Sequence, residues 1–302
     1  MVSQEEKEVN NIQKNNDIIS ILSFTKSYKT RNVFEDVNIV IPEGINGLIG
    51  PNGYGKTTFL ETCMGIRSDY SGNIKILGNC IKNVRKFIGF VPDKISLPKN
   101  IFVKDYINII AGLYNVNVPE ELLDISNIES VLNSRIGVLS AGYLKRLSFF
   151  IAIIHKPKLV LADELFANVD FGTVNIMKTL IKKLSLNGTS FVISSHDISQ
   201  LSEITDHMFI IKNKKIKNII KSKLHAPILE ITSDSPEDLY SYIREKFTCE
   251  INGNSVLMEY NNIKSAMEIL SKFNGNIIKL RTLDNSEVVA NEAIKAFNAD
   301  GN

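Results

Sequence analysis

The stretch Gly47-Leu-Ile-Gly-Pro-Asn-Gly-Tyr-Gly-Lys-Thr-Thr58 decides how the rest of the chain is read. Gly47–Ile49 is a short, nearly continuous apolar run, as expected of a central strand covered on both faces. Gly50 to Thr57 then completes the spacing G-x-x-x-x-G-K-[ST], and a helix is predicted to begin near Thr57. The glycines let the backbone curl so that successive N–H groups point at one centre, at a helix N-terminus that favours anions. In that geometry Lys56 reaches the β- and γ-phosphates of a nucleotide, and the Thr57 hydroxyl can ligate Mg²⁺. A glycine-rich loop can also be a mere turn. The strand before it, the lysine and the hydroxyls argue against that.

A second apolar strand, Leu159-Val-Leu-Ala162, ends in two adjacent carboxylates, Asp163 and Glu164. A strand buried so deeply does not end in acids without a cation or a polar reaction to serve. Asp163 suits the Mg²⁺ shell, and Glu164 suits a general base that polarises an attacking water. Taken alone the pair is weak evidence, because many strands end at an acidic cap. Its weight comes from the phosphate loop.

Working outward, short apolar strands alternate with amphipathic helices from Ile18 onward, which predicts an α/β domain. Further strands are expected over Ile18–Phe24, Val37–Ile41, Ile74–Ile76, Gly89–Val91 and Phe191–Ser194. Residues 1–17 read as a polar tail. Between Asn100 and Ser134 the apolar spacing is helical (Val103, Ile107, Ile110, Leu113), so a helical subdomain is expected over about residues 94–150 within a domain of residues 18–225. A lysine-rich stretch, Lys212 to Lys223, precedes a composition shift at Pro227. Residues 226–302 then order as strand (Ile228–Thr232), helix (Glu237–Phe247), strands (Cys249–Ile251, Ser255–Tyr260), helix (Asn262–Phe273) and strand (Ile277–Thr282). A last helix is expected over Asn285–Phe297. That order suits a small α+β sandwich of the split β-α-β kind.

Composition narrows the function classes. Hydrophobic residues make up 44% of the 302 and charged residues 23%, which allows a buried core. Lys+Arg 35 against Asp+Glu 33 gives no bulk-charge argument for nucleic acid. No apolar run approaches the roughly 18–20 residues that cross a bilayer; the longest candidate, Leu147 to Ile154, runs straight into His155, Lys156 and Pro157. A membrane role must therefore be borrowed from a partner. Cys63, Cys80 and Cys249 form no CxxC pair, so a reduced, cytoplasmic location is the simpler reading.

Between the phosphate loop and the acids lies Leu139-Ser-Ala-Gly-Tyr143, leading into the helix LKRLSFFIAII. After the acids come Ala167-Asn-Val-Asp170 and Ser194-Ser-His196-Asp, and Tyr28 precedes the loop. In this order the motifs resemble the ABC ATPase family, whose signature is usually written LSGGQ; the likeness covers about residues 18–220. The resemblance implies an ABC-type P-loop ATPase core with a helical subdomain, ATP and Mg²⁺ as ligands, and a head-to-tail dimer. Tyr28 would stack on adenine, with Asn52, Gly53, Gly55, Lys56, Thr57 and Thr58 around the phosphates. Ser140, Ala141 and Gly142 of the other subunit would bind the γ-phosphate, and His196 would contact it beside Glu164. It also implies a peripheral subunit on the inner face of the cell membrane, working with an integral membrane permease, as a homodimer or heterodimer and without nucleic acid.

The sequence departs from the family pattern in places. Asp93 stands where the family usually has Gln, and its shorter side chain would reach Mg²⁺ through water. Ala141 and Tyr143 replace the usual signature Gly and Gln, and Leu165-Phe166 replaces Pro-Thr after the acids. Lys56, Thr57, Asp163, Glu164 and His196 all remain, so an active ATPase is expected. Small α+β tails like residues 226–302 occur on cassettes of bacterial exporters with separately encoded permeases, and export is the direction expected. Ribosome-type members join two cassettes and DNA-repair types insert coiled coils; this chain has one cassette and no heptad tract. A nucleotide-binding regulator with little hydrolysis is favoured only by Asp93.

Overall fold

The computed structural model describes residues 17–29, 31–219, 228–260 and 262–283. The chain divides into two compact units, residues 1–219 and 220–302, where a boundary near 225 was expected. In chain order the first unit has strands β1 (Asp17–Tyr28), β2 (Arg31–Pro42), β3 (Ile45–Ile49), β4 (Ser71–Ile76), β5 (Asn79–Cys80), β6 (Ile88–Val91), β7 (Leu159–Ala162), β8 (Ser190–Ser195), β9 (His207–Lys212) and β10 (Lys215–Ile219). One sheet is antiparallel, in the order β2-β1-β4-β5. The other runs β10-β9-β3-β8-β7-β6, parallel except for the β9–β10 hairpin at its edge. Because β3, β6, β7 and β8 run the same way, their carboxyl ends share one edge, where open α/β sheets gather their ligands.

The helix after β3, Lys56–Cys63, lies in the main core. Its Phe59, Leu60 and Cys63 are buried with Phe24 and Phe34 of the antiparallel sheet and Leu48, Leu161 and Phe209 of the parallel one. Phe34 packs edge-on against Phe59 at 6.2 Å between ring centroids and tilted against Phe24 at 5.3 Å. Such aromatic burial contributes several kcal/mol of apolar stabilisation (about 2–3 per side chain) and fixes the helix whose start forms the phosphate loop.

Several expected boundaries shift. Asp17, placed with the tail, opens β1, and β1 runs on to Tyr28 beyond the expected end at Phe24. Register shifts near Phe24 break the two-residue alternation that marks a strand in sequence. β9 was not among the expected strands, although its burial is nearly complete. Within the helical segment, helix Val103–Tyr114 buries Val103, Ile107 and Ala111, whereas Leu113, expected on that stripe, is 77% exposed. The signature helix extends from Ala141 to Ile153, past the expected subdomain end at 150, and its last turns pack on the core.

The lysine-rich hairpin turns through Asn213 and Lys214, both at positive φ, as a two-residue hairpin loop requires. Lys214 pairs with Glu35 at 2.6 Å, and Lys215 donates to the Asp36 carbonyl at 2.7 Å. Part of the lysine run therefore ties the hairpin to β2, and Lys221 and Lys223 lie outside the described residues.

In the second unit, β11 (Ile228–Ser233), β12 (Cys249–Asn252), β13 (Ser255–Glu259) and β14 (Ile277–Leu283) form an antiparallel sheet in the order β12-β13-β11-β14. Helices Pro236–Ile243 and Ile263–Leu270, shorter than expected, pack Leu239, Ile243, Ala266 and Leu270 against Leu229, Ile231, Val256 and Met258. This is the split β-α-β sandwich. The helix expected over Asn285–Phe297 lies outside the described residues.

Candidate nucleotide site

Gly55 caps the Lys56–Cys63 helix in the left-handed region at φ 107, and a Cβ there would lie 2.5 Å from Val33 Cγ1. Only glycine can make this turn so close to β2. The Lys56 ammonium turns back into the loop and donates to the Gly50 carbonyl at 2.7 Å, with Asn52 Oδ1 at 3.5 Å. A cleft of 420 Å³ opens above. It is lined by Tyr28, Asn52, Gly53, Gly55 to Thr58, Asp93 and Glu164, all singled out in sequence, and by Arg31 and Val33, which were not.

Asp163 and Glu164 follow β7 directly. Asp163 is fully buried; it accepts from Thr57 Oγ1 at 2.5 Å and from Ser194 Oγ at 2.5 Å. Burial pushes its carboxyl above the usual carboxylate range, outweighing both hydrogen bonds, and Asp93 and Glu164 add to the rise. Glu164 sits at φ 46, an uncommon backbone for a non-glycine residue. Its N–H donates to Ser194 Oγ at 2.9 Å, so one buried hydroxyl at the end of β8 fixes both acids. Sequence reasoning missed Ser194; the signal that could have found it is a hydroxyl at the end of a fully buried strand.

The Glu164 carboxylate lies between the Lys56 ammonium and the His196 ring. Oε2 is 2.9 Å from His196 Nδ1, and Oε1 is 3.1 Å from Lys56 Nζ. The lysine contact is not aligned as a hydrogen bond, which leaves Oε1 buried with its acceptor capacity unused. Burial pushes this carboxyl up, but the bonds to His196 and the Lys56 charge overcome it, so it titrates below the ordinary range. His196 is 54% exposed and points its other nitrogen away from Glu164. The two adjacent acids are thus shifted in opposite directions, Asp163 upward and Glu164 downward.

Thr57, Asp163 and Asp93 offer hard oxygen donors, with Thr57 and Asp163 already in contact. That set fits Mg²⁺, which takes one or two carboxylates and fills its shell with phosphate oxygens and water. Among the described residues no group of three or more His, Cys, Asp or Glu side chains could hold a metal unaided, so the nucleotide's own oxygens are needed.

Tyr28 ends β1 with its hydroxyl 3.4 Å from Thr58 Oγ1. The Lys26 ammonium and the Arg67 guanidinium lie over its ring, 4.5 and 5.4 Å from the centroid. Ser140 caps the signature helix, its Oγ accepting from Tyr143 N–H. Gly142 is packed so that a Cβ would meet Thr173 Oγ1 at 2.9 Å and Asp170 Oδ2 at 3.0 Å. Ser140, Ala141 and Gly142 do not line the cleft of their own chain.

A glycine loop at the end of a central parallel strand, paired acids on the next strand but one and a histidine between them define a P-loop nucleotide-binding domain. Comparison with known proteins gives the family. Residues 34–167 match the family model described as "ABC transporter". An uncharacterized ABC transporter ATP-binding protein of Rhizobium meliloti is 30% identical over 62% of this chain and 74% of its own length. The bacitracin transport ATP-binding protein of Bacillus licheniformis is 29% identical over 66% and 68%, and the Nod factor export ATP-binding protein I of Rhizobium johnstonii is 26% identical over 75% and 78%. A solved ATP-binding subunit of an ABC transporter superposes with a TM-score of 0.62 at 21% identity, covering 68% of this chain and 91% of that one; it shares the fold. The chain belongs to the ABC transporter ATP-binding proteins.

Proposed function

We propose that the chain hydrolyses MgATP and uses the cycle to drive export through a separately encoded membrane permease. The observation that carries the hydrolytic reading is Glu164, held ionised between Lys56 and His196 with one buried oxygen free to accept a hydrogen bond. In this reading Asn52, Gly53, Gly55 and Thr58 cradle the phosphates, Tyr28 stacks on adenine, and the γ-phosphate replaces the Gly50 carbonyl as acceptor for Lys56. Glu164 takes a proton from a water whose oxygen bonds to the γ-phosphorus as the bond to the β–γ bridging oxygen breaks, releasing ADP. His196 holds the γ-phosphate and the water in line. Thr57 and Asp163, with Asp93 through water, would hold Mg²⁺, which would supply charge neutralisation at the phosphates.

Ser140, Ala141 and Gly142 lie outside their own chain's cleft, which supports their acting on the nucleotide of a second subunit in a head-to-tail dimer. The two subunits are either identical or different. Among the described residues no helix is long and apolar enough to cross a membrane, and the relatives named for bacitracin transport and Nod factor export are ATP-binding proteins of transport systems. These support a peripheral subunit on the inner face of the membrane, docked on its permease through the helical segment of residues 94–150, with residues 226–302 as an accessory domain. Glu164→Gln tests the chemistry: turnover should fall by about 10²-fold or more while ATP binding persists. Undiminished turnover would remove Glu164 as the base.

A further inference from the structure

The signature helix Ala141–Ile153 lies directly against β6, since a Cβ on Gly89 would come within 2.1 Å of the Ala152 carbonyl oxygen. The helix starts beside Asp170, at the carboxyl edge of the sheet, so it runs antiparallel to β6. Lys145 lies seven residues before Ala152, on the same helical face and about 10.5 Å closer to that edge. Asp93 lies four residues beyond Gly89, about 13 Å along the strand direction toward the same edge. The two side chains therefore arrive at one level from neighbouring elements.

Lys145 is 4% exposed and has no hydrogen bond or ion pair within 4.0 Å among the described residues. Taking an ammonium largely out of water is costly unless opposite charge lies near. Burial pushes its pKa below the usual lysine value, and the charges that counter this are Asp93, then Asp163 and Glu164.

We propose that Lys145 is a positioning residue of the nucleotide site, its largely buried side chain carrying the ammonium from the signature helix toward Asp93 and holding that carboxylate at the cleft. The proposal rests on the ATPase reading above. Asp93 then stands between two cations, Lys145 on the protein side and the nucleotide's Mg²⁺ on the cleft side. An acid at this position is workable because the lysine balances it when no nucleotide is bound. The pair also links two segments, so displacement of the signature helix changes the field at Asp163 and Glu164.

A double-mutant cycle on the full chain tests this: Lys145→Gln, Asp93→Gln and the two combined, with kcat and KM for MgATP and thermal melting of each. Each single variant should lose about tenfold in kcat with little change in KM. The double variant should lose about the same tenfold, because all three variants lose the same single interaction. Lys145→Met, of similar volume without the charge, should match Lys145→Gln in kcat while melting close to wild type. Multiplicative losses near a hundredfold, or lysine variants with wild-type kcat, overturn the pairing. A wild-type chain without turnover overturns the ATPase reading and this proposal together, whereas multiplicative losses in an active enzyme count against the pairing alone.

Discussion

Asp163 and Glu164 are consecutive, yet their surroundings drive their acidities apart, and the difference has a thermodynamic consequence at the scale of one side chain. Asp163 has its folded pKa raised by burial. Its ionisation therefore costs stability, and the cost grows as pH rises from the unfolded value near 4 through the raised folded value. Asp163→Asn should raise the melting temperature of the nucleotide-free protein, most at pH above that folded value and not at all at pH below the unfolded one. Glu164 has the opposite sign, because its lowered folded pKa gives stability that disappears only as pH falls through it. A melting series from pH 3 to 8 checks this; an Asp163→Asn gain that is equal at both ends would contradict the burial account. Both acids were legible in the sequence, since two carboxylates at the end of an apolar run have few bland explanations beside a phosphate loop. Ser194 and Lys145 carry no such mark. Their importance comes from what folding places next to them, a hydroxyl between two acids and an amine facing a third.

At the scale of elements, the phosphate loop is held by what packs beneath it. Gly55 at φ 107 abuts Val33 and Phe34, whereas Gly53 at φ 82 has open space around its Cα. Gly55→Ala therefore meets both backbone strain and a collision, and Gly53→Ala meets strain alone. The first should destabilise by about 2–4 kcal/mol and weaken ATP binding, and the second by about 1 kcal/mol. Denaturant melts of the two variants check the order, and equal losses would contradict the packing account. The strands read most accurately from sequence were the short parallel ones, β3 and β7, whose continuous apolar runs follow from burial on both faces. β1 and β2 were read short because bulges disturb their alternation. The stripe Val103–Leu113 was misread at its end because helical spacing shows which residues share a face, not how far along it the neighbour extends.

At the scale of the molecule, the two units read from sequence as different architectures, and the ordering of strands and helices sufficed for that. Strand pairing across long separations was not legible. β3 lies between β8 and β9, partners about 150 residues away, and only the folded chain shows that their shared edge gathers Lys56, Asp93, Glu164 and His196. The same edge faces the second subunit and the permease in the proposed cycle, where nucleotide binding closes a dimer and hydrolysis reopens it. In that cycle the membrane partner supplies the cargo contacts. The most direct measurement is to tag the chain in its native host, solubilise the membranes gently and identify what co-purifies. The account predicts a polytopic membrane protein in stoichiometric yield. Ribosomal or DNA-maintenance proteins in its place, with the chain absent from membranes, would contradict the transporter reading.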